Sequence, residues 1–157
     1  MNARTFWPIG APQFERAAAL HRQAFEPIGE RPWTGRDIAE LLASPGAAGL
    51  LLRIDGKDAG FAVWRTAADE AELLTIAVQL DRRRHGHGGA LLEGVIARAR
   101  ASGASKLFLE VGVDNAAARS LYSQIGFVEV GRRTDYYKRH FGFTDALVLR
   151  LTLISGG

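Results

Sequence analysis

Apolar and polar positions alternate along the chain with two different periods, and the changes of period mark the ends of its elements. Residues 5–9 read as a short strand. Phe14, Ala17, Ala18, His21 and Phe25 then recur at helical spacing, which predicts a helix over residues 13–25. A Gly/Pro loop at 27–33 follows. Thr34 opens a Thr-Gly-Arg-Asp run whose acidic residue stands three positions on, a capping-box pattern for a helix to about residue 44. Residues 49–54 and 57–65 are β-like runs joined by Asp55-Gly56, a strong hairpin signal. Residues 72–79 make a further strand. From Gly88, the positions Leu91, Leu92, Val95, Ile96 and Ala99 mark one face of a helix that Gly103 stops. Residues 106–113 form a strand with Leu107, Leu109 and Val111 on one face. Asp114-Asn115 caps a short helix through Ile125, and Gly126 suits the left-handed position after it. Residues 128–131 and 146–153 read as two closing strands around an aromatic loop.

The order is therefore β-α-α-β-β-β-α-β-α-β-β. Three consecutive strands in the middle imply an antiparallel meander, and the helix between strands 72–79 and 106–113 implies one parallel crossover. The expected fold is α/β: a single domain over residues 1–157, with a mixed, mostly antiparallel sheet and flanking helices.

Composition narrows the chemistry. At 157 residues the chain suits one domain, and it has no cysteine, which excludes disulfides, thiolate metal sites and a cysteine nucleophile. No apolar run reaches the ~18–20 residues of a membrane span, and the first ten residues resemble no targeting signal, so a cytoplasmic protein without membrane contact is expected. The net charge of +3 suits an anionic ligand and gives nucleic acid little beyond charge to recommend it. The arginines at 132–133 and the Lys138-Arg139-His140 run read as solvated.

Arg82-Arg83-Arg84-His85-Gly86-His87-Gly88-Gly89 lies between an expected strand and an expected helix. Glycines there let the backbone approach a ligand, and a helix N-terminus carries about half a positive charge, so a phosphate or pyrophosphate site is suggested. The Walker pattern fails because no Lys-Ser or Lys-Thr follows the glycines. The dinucleotide fingerprint fails on topology, since a meander precedes the turn. His85 and His87 have no carboxylates or thiols in a ligand pattern beside them, so no metal is expected.

Two motifs together resemble the GNAT acetyltransferases. Arg83-Arg84-His85-Gly86-His87-Gly88 satisfies their cofactor turn, Gln/Arg-x-x-Gly-x-Gly/Ala. Asn115-Ala116-Ala117-Ala118, Leu121-Tyr122 and Gly126-Phe127 match their second signature in the same order and near the usual spacing. Within that superfamily the chain is most similar to the ribosomal-protein-alanine N-acetyltransferases, the RimI type. Leu107-Phe108-Leu109-Glu110-Val111 resembles the strand of their catalytic glutamate, Pro32-Trp33-Thr34 the start of their second helix, and Tyr136-Tyr137 their acceptor loop. Arg83, His87 and Arg31 depart from the usual residues at their positions.

The resemblance implies a GNAT-like fold and acetyl transfer from acetyl-CoA to a primary amine, foremost the N-terminal α-amine of a protein such as a ribosomal protein. Backbone groups of Ile76, Ala77 and Val78 would pair with the pantetheine arm. Amides of Arg84, His85, Gly86, His87, Gly88 and Gly89 would hold the pyrophosphate, and Asn115 would bond near the pantetheine end. Glu110 would be the base and Tyr122 the acid, while Trp33, Tyr136 and Tyr137 would line the acceptor site. Without the resemblance, Glu110 reads as a solvated carboxylate and Tyr122 as a core aromatic. Acetylation of a small amine or antibiotic, and a non-catalytic CoA-binding module, stay open as alternatives. A monomer or weak dimer is expected.

Overall fold

In the computed structural model, which describes residues 3–79 and 86–153, the chain runs β1 (Arg4–Pro8), α1 (Phe14–Phe25), α2 (Gly35–Leu42), β2 (Ala47–Ile54), β3 (Lys57–Ala67), β4 (Glu70–Val78), α3 (His87–Ala101), β5 (Lys106–Gly112), α4 (Ala116–Ile125), β6 (Val128–Arg139) and β7 (Gly142–Thr152). The strands form one sheet in the order β1-β2-β3-β4-β5-β7-β6. Neighbours are antiparallel except β4 and β5, which the α3 crossover makes parallel. The expected order of elements and the one parallel pair are both present.

Alternation along the strands gives the sheet two apolar faces. Leu50, Leu52, Trp64, Leu107, Leu109 and Leu147 pack against Leu91, Leu92 and Val95 of α3 and Tyr122 of α4. Leu51, Phe61 and Val63 point the other way, against Ala17, Ala18 and Leu20 of α1 and Ile38 of α2. Both faces being covered, β2 and β3 read as near-continuous apolar runs.

Local chemistry fixes the helix ends that matter for the site. Thr34 Oγ1 accepts from the Asp37 N–H at 3.1 Å while an Asp37 carboxylate oxygen accepts from the Thr34 N–H at 2.8 Å. This is the capping box expected from the sequence, and such a cap contributes about 1 kcal/mol. At the end of α4, Gly126 sits in the left-handed region at φ +117, which lets the Gly126 and Phe127 N–H groups both donate to the Tyr122 carbonyl. Phe127 then packs edge-on against the Tyr122 ring, with centroids 5.5 Å apart.

The closing hairpin differs from the sequence expectation. Strands were expected over 128–131 and 146–153 with a loop between, yet β6 and β7 continue to Arg139 and Gly142. The reason is position: β6 is an edge strand, exposed along most of its length, so no inward alternation marks it. Its register slips between Arg133 and Tyr137, where Asp135 adopts a positive φ and its N–H donates to Asp145.

Candidate active site

The sheet opens at its only parallel seam among the described residues. β4 and β5 pair at Glu70–Lys106, Ala71–Leu107 and Glu72–Phe108, and no further. β4 nevertheless continues to Val78 and β5 to Gly112. The divergence begins at a β-bulge. Trp64 of β3 faces Leu73 and Val63 faces Thr75, so Leu74 is an extra residue on β4. One extra residue bends a strand and reverses which face its side chains take. Ala71 and Leu73 accordingly join the α3 face, whereas Leu74 and Ala77 join the α1 face and Ile76 and Val78 return to the α3 side. Past the bulge, residues 73–77 keep β3 on one edge and have no strand on the other among the described residues. That edge can accept an extended amide-bearing chain as an added strand. Ile76 and Ala77, expected to pair with pantetheine, lie on it, with Val78 following.

α3 starts at the mouth of this opening. Gly86 is its N-cap in the left-handed region (φ +77), and no side chain caps it. The first intrahelical bond runs from the Ala90 N–H to the Gly86 carbonyl, so the N–H groups of His87, Gly88 and Gly89 lie outside the helix's own hydrogen-bond ladder and point along its axis, as an anion site requires. The His87 ring itself is turned inward, its Nδ1 accepting from Arg4 Nε at 2.9 Å, which leaves its backbone as the part that can meet an anion. Gly88 and Gly89 face Leu121 of α4. Arg84 and His85, with Arg83, lie outside the described residues. Asn115 caps α4, its Oδ1 accepting from the Ala118 N–H at 3.1 Å, so its NH2 is the end that can donate to a ligand carbonyl. These features fit a pyrophosphate followed by an amide-bearing arm.

Glu110 stands on β5 two residues beyond Phe108, the last to pair with β4, is still paired with Val148 of β7, and faces away from Leu109 and Val111. Its side chain is 18% exposed and accepts an ion pair from Arg133 Nε at 2.6 Å. Its charge, together with a hydrogen bond, raises the Tyr136 phenol above its ordinary range. Tyr122 is on the other face of the sheet, 5% exposed, and burial pushes its phenol up to about 12. Trp33, Tyr136 and Tyr137, nominated separately from the sequence, come together along one open groove of about 680 Å³. Among the described residues no group of three or more His, Asp or Glu side chains is arranged to hold a metal, and no helix is long and apolar enough to cross a membrane.

Comparison with known proteins shows the family. Residues 14–127 match the model of the acetyltransferase (GNAT) family. The chain belongs to the GNAT acetyltransferases. It is 42% identical over 99 residues to the [ribosomal protein bS18]-alanine N-acetyltransferase of Escherichia coli K12, covering 63% of this chain and 67% of that one. It is 35% identical over 143 residues to the Haemophilus influenzae protein of the same name, covering 90% and 92%. The crystal structure of the Escherichia coli ribosomal-protein-S18-alanine N-acetyltransferase superposes with a TM-score of 0.88 at 32% identity, over 99% of this chain and 97% of the other. The chain is an acetyl-CoA-dependent N-acetyltransferase.

Three residues around the candidate site have a role that the sequence reading did not anticipate. Arg133 is largely exposed, as expected, and also pairs with Glu110. Arg139, expected to be solvated, is buried to 7% side-chain exposure between Glu30 at 2.8 Å and Asp114 at 3.0 Å. Burial opposes its charge, and the two carboxylates more than restore it. His21, placed correctly on the buried face of α1, also accepts the Trp33 N–H. None of these carries a local signal: each partner is distant in sequence, and an arginine run looks the same whether it is solvated or paired.

Proposed function

We propose that this GNAT enzyme acetylates the N-terminal α-amine of a protein, a ribosomal protein with an N-terminal alanine being the first candidate, with Glu110 as the base and Tyr122 as the acid. The observation that carries the reading is Tyr136, which borders Glu110 on one side and shares the groove with Trp33 and Tyr137 on the other. An extended peptide lying along those aromatic faces delivers its first nitrogen to the carboxylate. The bS18-alanine specificity named for the relatives supports the same class of acceptor.

Acetyl-CoA supplies an acetyl group activated as a thioester, and the chain's own groups do the rest. The N–H groups of His87, Gly88 and Gly89 hold the pyrophosphate, with Gly86, and with Arg84 and His85 assigned the same role by the sequence motif. Ile76, Ala77 and Val78 align the pantetheine arm, and Asn115 bonds it near its end. An amine must be neutral to attack: at pH 7 deprotonation costs roughly 1 kcal/mol for an α-amine but nearly 5 for a lysine. Glu110, acting through water, takes that proton on the α1 face of the sheet. Tyr122 donates a proton to the departing sulfur on the α4 face. A phenol kept protonated by burial is suited to that task.

The deciding experiment compares an alanine-initiated peptide bearing a free N-terminus with its N-blocked twin containing an internal lysine. Strong preference for the free N-terminus is expected. Equal rates, or turnover only of a small polyamine or aminoglycoside, overturn the acceptor assignment.

A further inference from the structure

Arg139 closes β6 at a point where three chain segments meet. Its Nη1 donates to Glu30 Oε1 at 2.8 Å, on the segment that leads to Trp33. Its Nε donates to Asp114 Oδ2 at 3.0 Å and its Nη2 to Asp114 Oδ1 at 3.4 Å, next to Asn115, the N-cap of α4. The guanidinium also lies 4.9 Å from the centroid of the Tyr137 ring. The backbone makes room for this junction. A Cβ on Gly112 would stand 2.4 Å from Asp114 Oδ1 and 2.8 Å from Arg139 Nη2, so a side chain there would displace both partners.

We propose that Arg139 is a positioning residue for the acceptor, fixing the Trp33 segment, the Tyr137 ring and the start of α4 in one arrangement. The inference rests on the reading of the Trp33–Tyr136–Tyr137 groove as the acceptor site. Only a planar fork can meet two carboxylates and an aromatic face together; an ammonium is a point donor. The segment containing Glu30 has only a 3-10 turn at Glu26–Ile28, with the Gly29 and Glu30 N–H groups donating to Glu26 and Phe25, and beyond it no strand or α-helix before Gly35, so side-chain contacts help set the course of the rest. Arg31 on Asp37 ties down its far end, and Arg139 on Glu30 its middle. Loosening the junction spreads the groove walls, while the pyrophosphate turn, at the N-terminus of α3, is held by other contacts.

The test measures KM for an alanine-initiated peptide and for acetyl-CoA, with melting temperature, in Arg139→Gln, Arg139→Lys, Glu30→Gln and Trp33→Ala. Arg139→Gln is expected to raise the peptide KM at least tenfold and the acetyl-CoA KM less than threefold, with Arg139→Lys intermediate. A lowered melting temperature with an unchanged peptide KM overturns the proposal, since the junction would then serve stability alone. Should Arg139→Gln fail to fold, Glu30→Gln decides by the same split, with an expected rise in peptide KM of about threefold to tenfold. Trp33→Ala separates the two readings. If it raises the peptide KM and neither junction variant does, the positioning role is lost and the groove stands. If it leaves the peptide KM unchanged, the groove assignment falls, and this proposal with it.

Discussion

The Trp33 N–H donates to His21 Nδ1 at 3.0 Å, and the two rings stack with centroids 4.6 Å apart and planes 13° from parallel. An imidazole that accepts at Nδ1 must be neutral there. Burial at 2% exposure, reinforced by the Arg31 charge and opposed by Asp37, lowers the His21 pKa to about 4. One helix residue of α1 thereby sets both the backbone and the ring plane of a groove-lining tryptophan.

A pH dependence of stability follows. Unfolded, His21 titrates near its ordinary 6.5; folded, it titrates near 4. Between those values the unfolded chain binds a proton that the folded one refuses. The contribution is therefore complete above about pH 6.5 and is lost as pH falls toward 4, by on the order of 3 kcal/mol. Asp58, lowered chiefly by its hydrogen bond from Arg16, loses its contribution only below the ordinary carboxylate value of 3.8, outside that window. Melting curves from pH 7 to 4.5 should fall by several degrees in the wild type and distinctly less in His21→Gln, whose amide oxygen can still accept from Trp33. Parallel curves for the two proteins would refute the assignment.

Gly88 offers a steric discrimination at the pyrophosphate turn. A Cβ added there meets Leu121 Cδ2 at 3.5 Å, an ordinary contact, so the fold tolerates alanine and α3 gains about 0.5–1 kcal/mol of helix propensity. Gly88→Ala should keep the rise in melting temperature that acetyl-CoA produces, because ligand binding to the folded state stabilises it by mass action. Gly88→Glu brings bulk and negative charge to the helix N-terminus and should abolish that rise. A full thermal shift in Gly88→Glu would remove the pyrophosphate from this turn.

Features written in local chemistry were legible in the sequence. Asp55-Gly56, the Thr34–Asp37 box and Gly126 each need only neighbouring residues, and each stands where its pattern put it. The bulge at Leu74 was not legible, because residues 73–78 are apolar apart from the buried Thr75, and a reversal of parity leaves no trace in such a run. The length of β6 was hidden for the opposite reason: exposed along most of its course, it shows no alternation at all. Glu110 and Tyr122 were nominated by motif, while the ion pairs of Arg133 and Arg139 beside the candidate site come from pairings made only by the folded sheet.

Tyr122→Phe isolates the hydroxyl, since the ring keeps its packing against Phe127 and the rest of the α3 face. A phenol pushed up to about 12 stays protonated through any practical assay. The loss in kcat should therefore be the same at pH 7 and pH 9. General acid catalysis contributes typically 100- to 10,000-fold. The loss here is expected toward the lower end, because a thiolate departs tolerably well without full protonation. Normal turnover in a variant of normal stability would return Tyr122 to the core.

Glu110→Gln should behave differently with pH. The substitution keeps length and an oxygen acceptor for Arg133, and Arg133 is largely solvent-exposed, so little stability is at stake. What disappears is the group that collects the amine proton. At pH 7 most of an α-amine with a pKa near 7.8 is protonated, and the variant should lose on the order of 100-fold in turnover. Above pH 8.5 the amine is mainly neutral in solution and the gap to wild type should narrow several-fold. Removal of the Arg133 ion pair by Arg133→Gln supplies the control, because it changes the charge beside Glu110 and leaves the carboxylate in place. A loss in Glu110→Gln that is constant from pH 6.5 to 9.5, and equalled by Arg133→Gln, would mean that the carboxylate only holds β6 in position. A loss confined to low pH and specific to Glu110→Gln assigns it the proton.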